Sequence, residues 1–329
     1  FRYVMHIGDV GHQMIIGPTG AGKSVLLNFM ALQFLRYEQS QVFIFDKGGS
    51  FFASTMGVEG AYYAIADVDE HDLVFQPLRY IDDEQERLWA VKWICGLLVN
   101  ENIEITADIK TLVWEALCQL SEVPQPQRTL SGFQALVQDK VIRAALTNYT
   151  LNGAYGQLFD AGDEQFSIEN WQCFEMETLM NTPDIVPPVL YLLFHRIEKQ
   201  LDGRPSLIIL DEAWLFLDHP IFAGKIKEWL KTLRKKNASV IFATQSVDDL
   251  VASDVASSLI ESCAARVFLP NHRAVEPGVC EVYQQLGLNQ KQIEIISTAV
   301  SKRQYYYSSP LGSALIDLSL GDIALAFCA

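Results

Sequence analysis

Several things are scarce in this chain, and each scarcity closes a class of function. No apolar run reaches the roughly 18 residues that a bilayer-crossing helix requires, and no stretch has the order of a signal peptide. A membrane-spanning helix within these residues is thereby excluded. C-x-x-C pairs are absent, and Cys95, Cys118, Cys173, Cys263, Cys280 and Cys328 lie scattered. They read as buried or free thiols of a reducing compartment rather than as a disulfide framework. Positive charge is short as well, with 25 basic against 40 acidic residues and a formal net charge of −15. That balance argues against non-specific nucleic-acid binding over the whole surface and leaves room for one basic patch or a ring-lined channel. With half its 329 residues apolar and a fifth charged, the chain is globular, with room for one large or two smaller domains. It starts at Phe1 rather than Met and stops at Cys328-Ala329 after an apolar run, which reads as an excised domain whose membrane or partner contacts lie elsewhere.

What is present starts with Gly17-Pro18-Thr19-Gly20-Ala21-Gly22-Lys23-Ser24, which fits the phosphate-loop pattern G-x-x-x-x-G-K-[ST]. Gln13 to Ile16 before it suits a buried strand, and the apolar run from Val25 to Leu35 after it suits a packed helix. The glycines let backbone N–H groups turn toward a phosphate, and the helix N-terminus adds a favourable dipole. Lys23 is then expected on the β- and γ-phosphates and Ser24 on Mg²⁺. Nucleotide contacts are expected from Gly17 through Val25.

A second apolar run, Ser206 to Leu210, ends in Asp211-Glu212, as a buried parallel strand does when it delivers carboxylates to its tip. Asp211 is expected in the Mg²⁺ shell and beside the nucleotide, opposite Ser24. Glu212 is expected to orient and polarise the attacking water. Ser239 to Ser246 is another strand ending in Thr-Gln, and the Gln245 amide can both donate and accept, which suits a γ-phosphate sensor. Before it, Lys225 to Asn237 carries an apolar stripe of Ile226, Trp229, Leu230 and Leu233, with lysines opposite. Arg234, at the end of that helix, is the candidate finger reaching a neighbour's site, with Arg266, Arg273 and Arg303 as competitors.

Other stretches are organised around these. Gln41 to Asp46 reads as a strand whose Asp46-Lys47 tip faces the nucleotide or a neighbouring subunit, or is a charged turn without a role. Leu73 to Leu78 could be a further strand closed by its proline. From Ile81 to Gln165 the spacing turns helical, with 13 acidic and 6 basic residues, and Trp89, Trp93 and Trp114 read as core packing. The expected organisation is an α/β, RecA-like P-loop core with a mostly parallel sheet over 1–80 and 166–329, with an all-helical insertion over 81–165. Toward the end, Lys302 to Tyr307 reads as a basic edge strand, either an ordinary one or one in contact with nucleotide or a neighbour, and Leu311 to Ala329 as alternating apolar residues closing the sheet.

The phosphate loop, His6-Ile7-Gly8-Asp9-Val10-Gly11-His12, Phe45-Asp46-Lys47-Gly48-Gly49-Ser50 and Leu210-Asp211-Glu212-Ala213-Trp214 together resemble the conjugal-transfer TrbE family. So do Arg234-Lys235-Lys236-Asn237, Ala243-Thr244-Gln245-Ser246, Phe268-Leu269-Pro270-Asn271 and Arg303-Gln304-Tyr305-Tyr306. The resemblance runs in order over essentially the whole chain, matched in the helical stretch only by texture. Gly48-Gly49 stands where more charged relatives are expected. The resemblance implies the C-terminal motor domain of a large type IV secretion ATPase that uses ATP and Mg²⁺. It implies hexamers or lower homo-oligomers, other type IV secretion components as partners, and a cytoplasmic seat at the inner face of the membrane, joined through an N-terminal region. A DNA-translocating ring motor of the FtsK/HerA or coupling-protein kind, whose pore contacts DNA, shares the same core. A nucleotide-dependent assembly scaffold is the remaining alternative.

Overall fold

The computed structural model describes every residue except 1, 2, 4, 9, 10, 66–72, 165, 167, 168, 214–219, 246–254 and 329. Asp9, Val10, Trp214 and Ser246, which carried part of the family resemblance, lie outside the described residues. The described chain divides into two compact units. One comprises Phe1–Tyr62, Glu169–Met176 and Lys199–Ala329; the other comprises Tyr63–Ile168 and Glu177–Glu198.

The first unit is built on a sheet. Its strands are β1 (Gln13–Ile16), β2 (Gln41–Asp46), β3 (Ala61–Ala64), β4 (Trp171–Glu175), β5 (Ser206–Leu210), β6 (Ala238–Thr244), β7 (Ala265–Phe268), β8 (Gln304–Ser309) and β9 (Gly312–Asp317). They lie in the order β3-β4-β2-β5-β6-β1-β7-β8-β9. From β4 through β7 every pairing is parallel, while β8 and β9 return antiparallel. Every residue of β1, β2, β5 and β6 is buried. Strands covered on both faces need continuous apolar sequence rather than alternation, which is why these four stood out as runs. The helix α1 (Lys23–Phe34) lays Leu26, Leu27, Met30, Ala31 and Phe34 onto one face, against Ile15, Ile44, Ile209, Ile241 and Val267. The parallel strands all end on one edge, and the loops there carry the motifs.

Three readings of texture are corrected. Leu73 to Leu78 forms no strand: Phe75 donates its N–H to Leu158 O at 2.8 Å and accepts from Ala161 N at 3.3 Å, a loop contact that buries its ring. The strand of that region is the short Tyr-Tyr segment β3. Lys302 to Tyr307 is not an edge, because β8 is paired on both sides and the exposed β9 takes the edge. The tail closes as strand then helix, with Asp322–Cys328 helical after Gly321.

The second unit is helical, apart from the end of β3, and takes in more chain than 81–165. Its helix Glu84–Asn100 and the body of Val186–Gln200 share a core, where Trp93, 1% exposed, donates Nε1–H to Pro188 O at 3.0 Å. Starts are set by side-chain caps: Asp83, Thr106, Thr129 and Asp139 each accept from N–H groups of the first turn. The stretch from Gln134 to Tyr149, continuous by spacing, breaks before Asp139, which caps a new helix. Trp114 is half-buried under the Arg87 guanidinium, 5.4 Å from its ring centre.

Candidate nucleotide site

The loop after β1 has the backbone its glycines foretold. Gly20 and Gly22 lie at φ 78° and 100°, in the left-handed region that side chains other than glycine disfavour. Gly17 N–H donates to Thr244 O at 3.2 Å, tying the loop to the tip of β6. The far side of the loop is gripped by residues that sequence reading left without a firm role. Lys302 N–H donates to Ala21 O at 3.0 Å, and the Tyr305 hydroxyl donates to Gly22 O at 3.2 Å. A Cβ on Gly22 would stand 2.7 Å from that hydroxyl and 3.0 Å from Lys302 Cα. Gly17 is crowded in the same way by Leu269. These contacts bridge more than 240 positions, and no local pattern announces them; the Tyr-Tyr-Tyr run in a basic segment was the available signal.

Strand order brings the motifs together. β6 lies between β1 and β5, so the tip carrying Gln245 stands between the phosphate loop and Asp211-Glu212. Asp211 N–H donates to Phe45 O at 2.9 Å and Ala213 N–H to Ala243 O at 2.8 Å, fixing the β5 tip to both neighbours. Glu212 between them has φ 53°, a left-handed conformation that costs a residue with a side chain and clusters at functional sites.

The side chains converge as well. Lys23 Nζ pairs with Asp211 Oδ1 at 2.7 Å and donates to Glu212 Oε1. Gln245 donates through Nε2 to the same Glu212 oxygen, and its Oε1 accepts from the Thr19 hydroxyl at the loop tip. Burial pushes the Asp211 carboxyl above its ordinary range, with the Lys23 ammonium opposing the rise. Lys23, Asp211 and Glu212 are all buried, so these charges interact where screening is weak.

The neighbouring β2 tip completes this edge. Asp46 is fully buried, accepting from Ser50 Oγ at 2.8 Å and Phe51 N–H at 2.9 Å. Lys47 is exposed beside it, and Gly48 N–H donates to Glu175 Oε1 at 2.9 Å at the end of β4.

The arginines fall elsewhere. Arg234 is exposed in the short 3-10 turn Leu233–Lys236, just before β6 begins. It therefore sits at the opposite edge of the sheet from its own phosphate loop. The seven residues of β6 separate the two edges, which is about 20 Å at ~3.3 Å per residue. The competitors are engaged. Arg266 donates to the carbonyls of Leu286 and Ile260 at 2.6 Å each, Arg273 pairs with Glu276 at 3.0 Å, and Arg303 pairs with Asp317 at 3.0 Å.

The donor set suits nucleotide with Mg²⁺. The Ser24 hydroxyl and the Asp211 carboxylate are hard oxygen donors, and Lys23 supplies fixed positive charge. Among the described residues, no group of three or more His, Cys, Asp or Glu side chains could hold a metal alone.

A glycine-rich loop after one parallel strand, an Asp-Glu tip two strands away and a polar tip between them define a P-loop nucleoside triphosphatase core. The family model for the TraG P-loop domain matches residues 137–308, just over half of the sequence, and the chain belongs to that family. The match includes Asp211, Glu212 and Gln245 and starts after the phosphate loop. Over 333 residues the chain is 46% identical to the conjugal transfer protein TrbE of Rhizobium radiobacter, covering 99% of this chain and 40% of that protein. It is 27% identical to the type IV secretion system protein virB4 of Bartonella henselae, covering 97% of this chain and 41% of that protein. The chain thus spans well under two thirds of these relatives. Among solved structures, VirB4 of Thermoanaerobacter pseudethanolicus superposes with a TM-score of 0.74 at 15% identity, covering 98% of this chain and 93% of that one. The plasmid coupling protein TrwB in complex with ADP and Mg²⁺ gives 0.63 at 15% identity, covering 98% and 91%. These two likenesses are of fold. No helix among the described residues is long and apolar enough to cross a membrane.

Proposed function

We propose that this chain is the ATP-hydrolysing, Mg²⁺-dependent motor part of a type IV secretion or conjugation ATPase. The convergence of Lys23, Asp211, Glu212, Gln245 and Thr19 on one sheet edge carries the reading. Bound with the nucleotide, Mg²⁺ supplies charge neutralisation at the β- and γ-phosphates. Loop N–H groups of Thr19, Gly20 and Gly22 to Val25 cradle the phosphates, and Lys23 takes up their charge. Ser24 and Asp211 would hold the metal. Glu212 orients the attacking water and accepts its proton, while Gln245 registers the γ-phosphate from the neighbouring strand tip. Arg234, remote from its own loop, serves a neighbouring copy's site within a homo-oligomer, a hexamer when assembled. The working place is the cytoplasmic face of the inner membrane, alongside other secretion components.

ATP hydrolysis by the purified chain across a concentration series, with Lys23→Ala, Glu212→Gln and Arg234→Ala alongside, tests this. Specific activity that rises with concentration and vanishes in all three variants is the expected result. Arg234→Ala matching the parent in an active oligomer would remove the finger role. The TrbE likeness in sequence sets the secretion reading ahead of a DNA-translocating motor, which has only the shared fold behind it. Hydrolysis stimulated many-fold by DNA would reverse that order, and Glu212→Gln protein that still supports transfer would favour a scaffold.

A further inference from the structure

The two expected metal-holding residues, Ser24 and Asp211, come from elements that do not adjoin in the sheet, since β6 stands between β1 and β5. A polar chain nevertheless links them by another route. Asn28 is fully buried, one turn along α1 from Ser24. Its Nδ2 donates to Ser24 O at 3.1 Å and to Ser50 O at 2.9 Å, while its Oδ1 accepts from the Ser54 hydroxyl. Ser50 in turn donates its hydroxyl to Asp46 Oδ1, and Phe51 N–H holds Oδ2. Asp46 follows Phe45, whose carbonyl accepts the Asp211 N–H at 2.9 Å. An uninterrupted route therefore runs from the first turn of α1 through the β2 turn to the β5 tip.

From this juxtaposition we infer that Asn28 is a positioning residue for the metal-nucleotide site, setting the spacing of Ser24 and Asp211 through Ser50 and Asp46. The inference rests on the nucleotide-site reading above and extends it. Its physical ground is the demand of Mg²⁺ for near-ideal octahedral geometry at short oxygen distances, which penalises any drift between its ligands. A core asparagine that merely satisfied itself could do so within its own helix. Asn28 directs its amide to two backbone carbonyls from different elements and is locked by a third group. Supporting partners of this kind, one step removed from the ligands, typically cost 10–100-fold in metal affinity when lost. Asparagine is required rather than aspartate because both carbonyls need a donor.

The test is binding of a fluorescent ADP analogue, titrated with Mg²⁺ upward from EDTA, for the parent, Asn28→Asp and Ser50→Ala. Unfolding temperature without ligand is read in parallel. Asn28→Asp is expected to raise the half-saturating Mg²⁺ concentration about tenfold, with Ser50→Ala giving a smaller rise of the same sign. Affinity in EDTA should stay at the parent value in both, because the loop cradle and Lys23 remain. A purely structural role would lower affinity equally with and without Mg²⁺, and that result overturns the inference. Folded variants with the parent's Mg²⁺ dependence overturn it too. Should Asn28→Asp fail to fold, Ser50→Ala decides alone, since it removes only a hydroxyl from a half-buried turn. A parent whose binding ignores Mg²⁺ would instead bring down the nucleotide-site reading itself, and this inference with it.

Discussion

Both units bury charge, but they neutralise it differently. In the helical unit Glu86 and Glu164 meet bases, while Asp160 is held by the Ser131 and Leu151 N–H groups and the Ser131 hydroxyl. Glu86 Oε2 lies 2.9 Å from His195 Nε2 and 3.9 Å from Arg196 Nη1, and Glu164 pairs with Arg196 at 3.2 Å. Aromatic rings enclose the group, with Trp89 stacked 4.1 Å from His195 and Tyr80 beneath the Arg196 guanidinium. In the sheet unit, Asp46, Asp211 and Glu212 are buried, and Lys23 is that unit's only buried lysine or arginine among the described residues. Balanced pairs hold helices in register and ask for nothing further. An acidic excess at the edge where parallel strands end suits a place that receives a cation and a phosphate ester. Burial of charge alone therefore does not mark function, whereas an excess of one sign at strand tips points to it.

The largest effect that sharpens this contrast is chemical. Glu212→Gln keeps the volume and a hydrogen-bonding oxygen while removing the carboxylate proposed as base, so turnover should fall about 10²–10⁴-fold with nucleotide affinity retained. Single-turnover hydrolysis beside equilibrium binding checks it; an equal loss in both would mean that Glu212 shapes the site rather than works in it. The counterpart in the helical unit is Arg196→Met, which strands Glu164 and weakens the Glu86 cluster. Breaking a buried pair costs about 3–5 kcal/mol, so chemical denaturation should show a loss of that size. Nucleotide affinity of the folded protein should not move. A change in affinity comparable to the change in stability would erase the distinction between the two kinds of buried charge.

How much of this was legible depends on the range of the cause. The phosphate loop could be read because its shape is written locally in Gly20, Gly22 and Lys23, and the Asp211-Glu212 tip because a strand buried on both faces is an unbroken apolar run. Helical spacing alone marks Trp93 as core. The support of the loop by Lys302 and Tyr305 was not legible, because antiparallel return strands bring those residues in from the far end of the chain. Leu73 to Leu78 misled for a related reason: a loop that buries Phe75 and Leu78 has the composition of a strand without a partner to pair with. Asn28 carried a faint signal, a short amide within an apolar helix, but its partners Ser50 and Ser54 are fixed only by tertiary packing. Order in the chain singles out Arg234 but gives no hint that the β6 strand carries its own site to the opposite edge.

A smaller effect is expected at Asp46. Burial raises its carboxyl from 3.8 to about 6, the Asp211 and Glu175 charges adding to the rise and the Phe51 and Ser50 hydrogen bonds opposing it. A carboxyl raised on folding binds its proton more tightly in the native state, so its contribution to stability declines as pH rises from about 4 to about 6. Below that window the group is protonated in both states and carries no penalty; above it the buried charge costs its full amount. A tenfold change in proton affinity is worth about 1.36 kcal/mol, so the swing across the window is on the order of 3 kcal/mol. Asp46→Asn has no proton to lose, and its amide can still accept from Phe51 N–H and donate to Ser50 Oγ. Denaturation in EDTA without nucleotide should therefore show the variant gaining on the parent by that order between pH 4 and 6, whatever their offset at pH 4. Arg196→Met should show the opposite sign. Burial already raises the Glu164 carboxyl, with the Arg196 charge opposing the rise, so the variant should lose ground on the parent as pH climbs and Glu164 ionises without its base. Parallel profiles for parent and Asp46→Asn would mean that Asp46 carries no uncompensated charge, and the acidic excess at this edge would then reside in Asp211 and Glu212 alone.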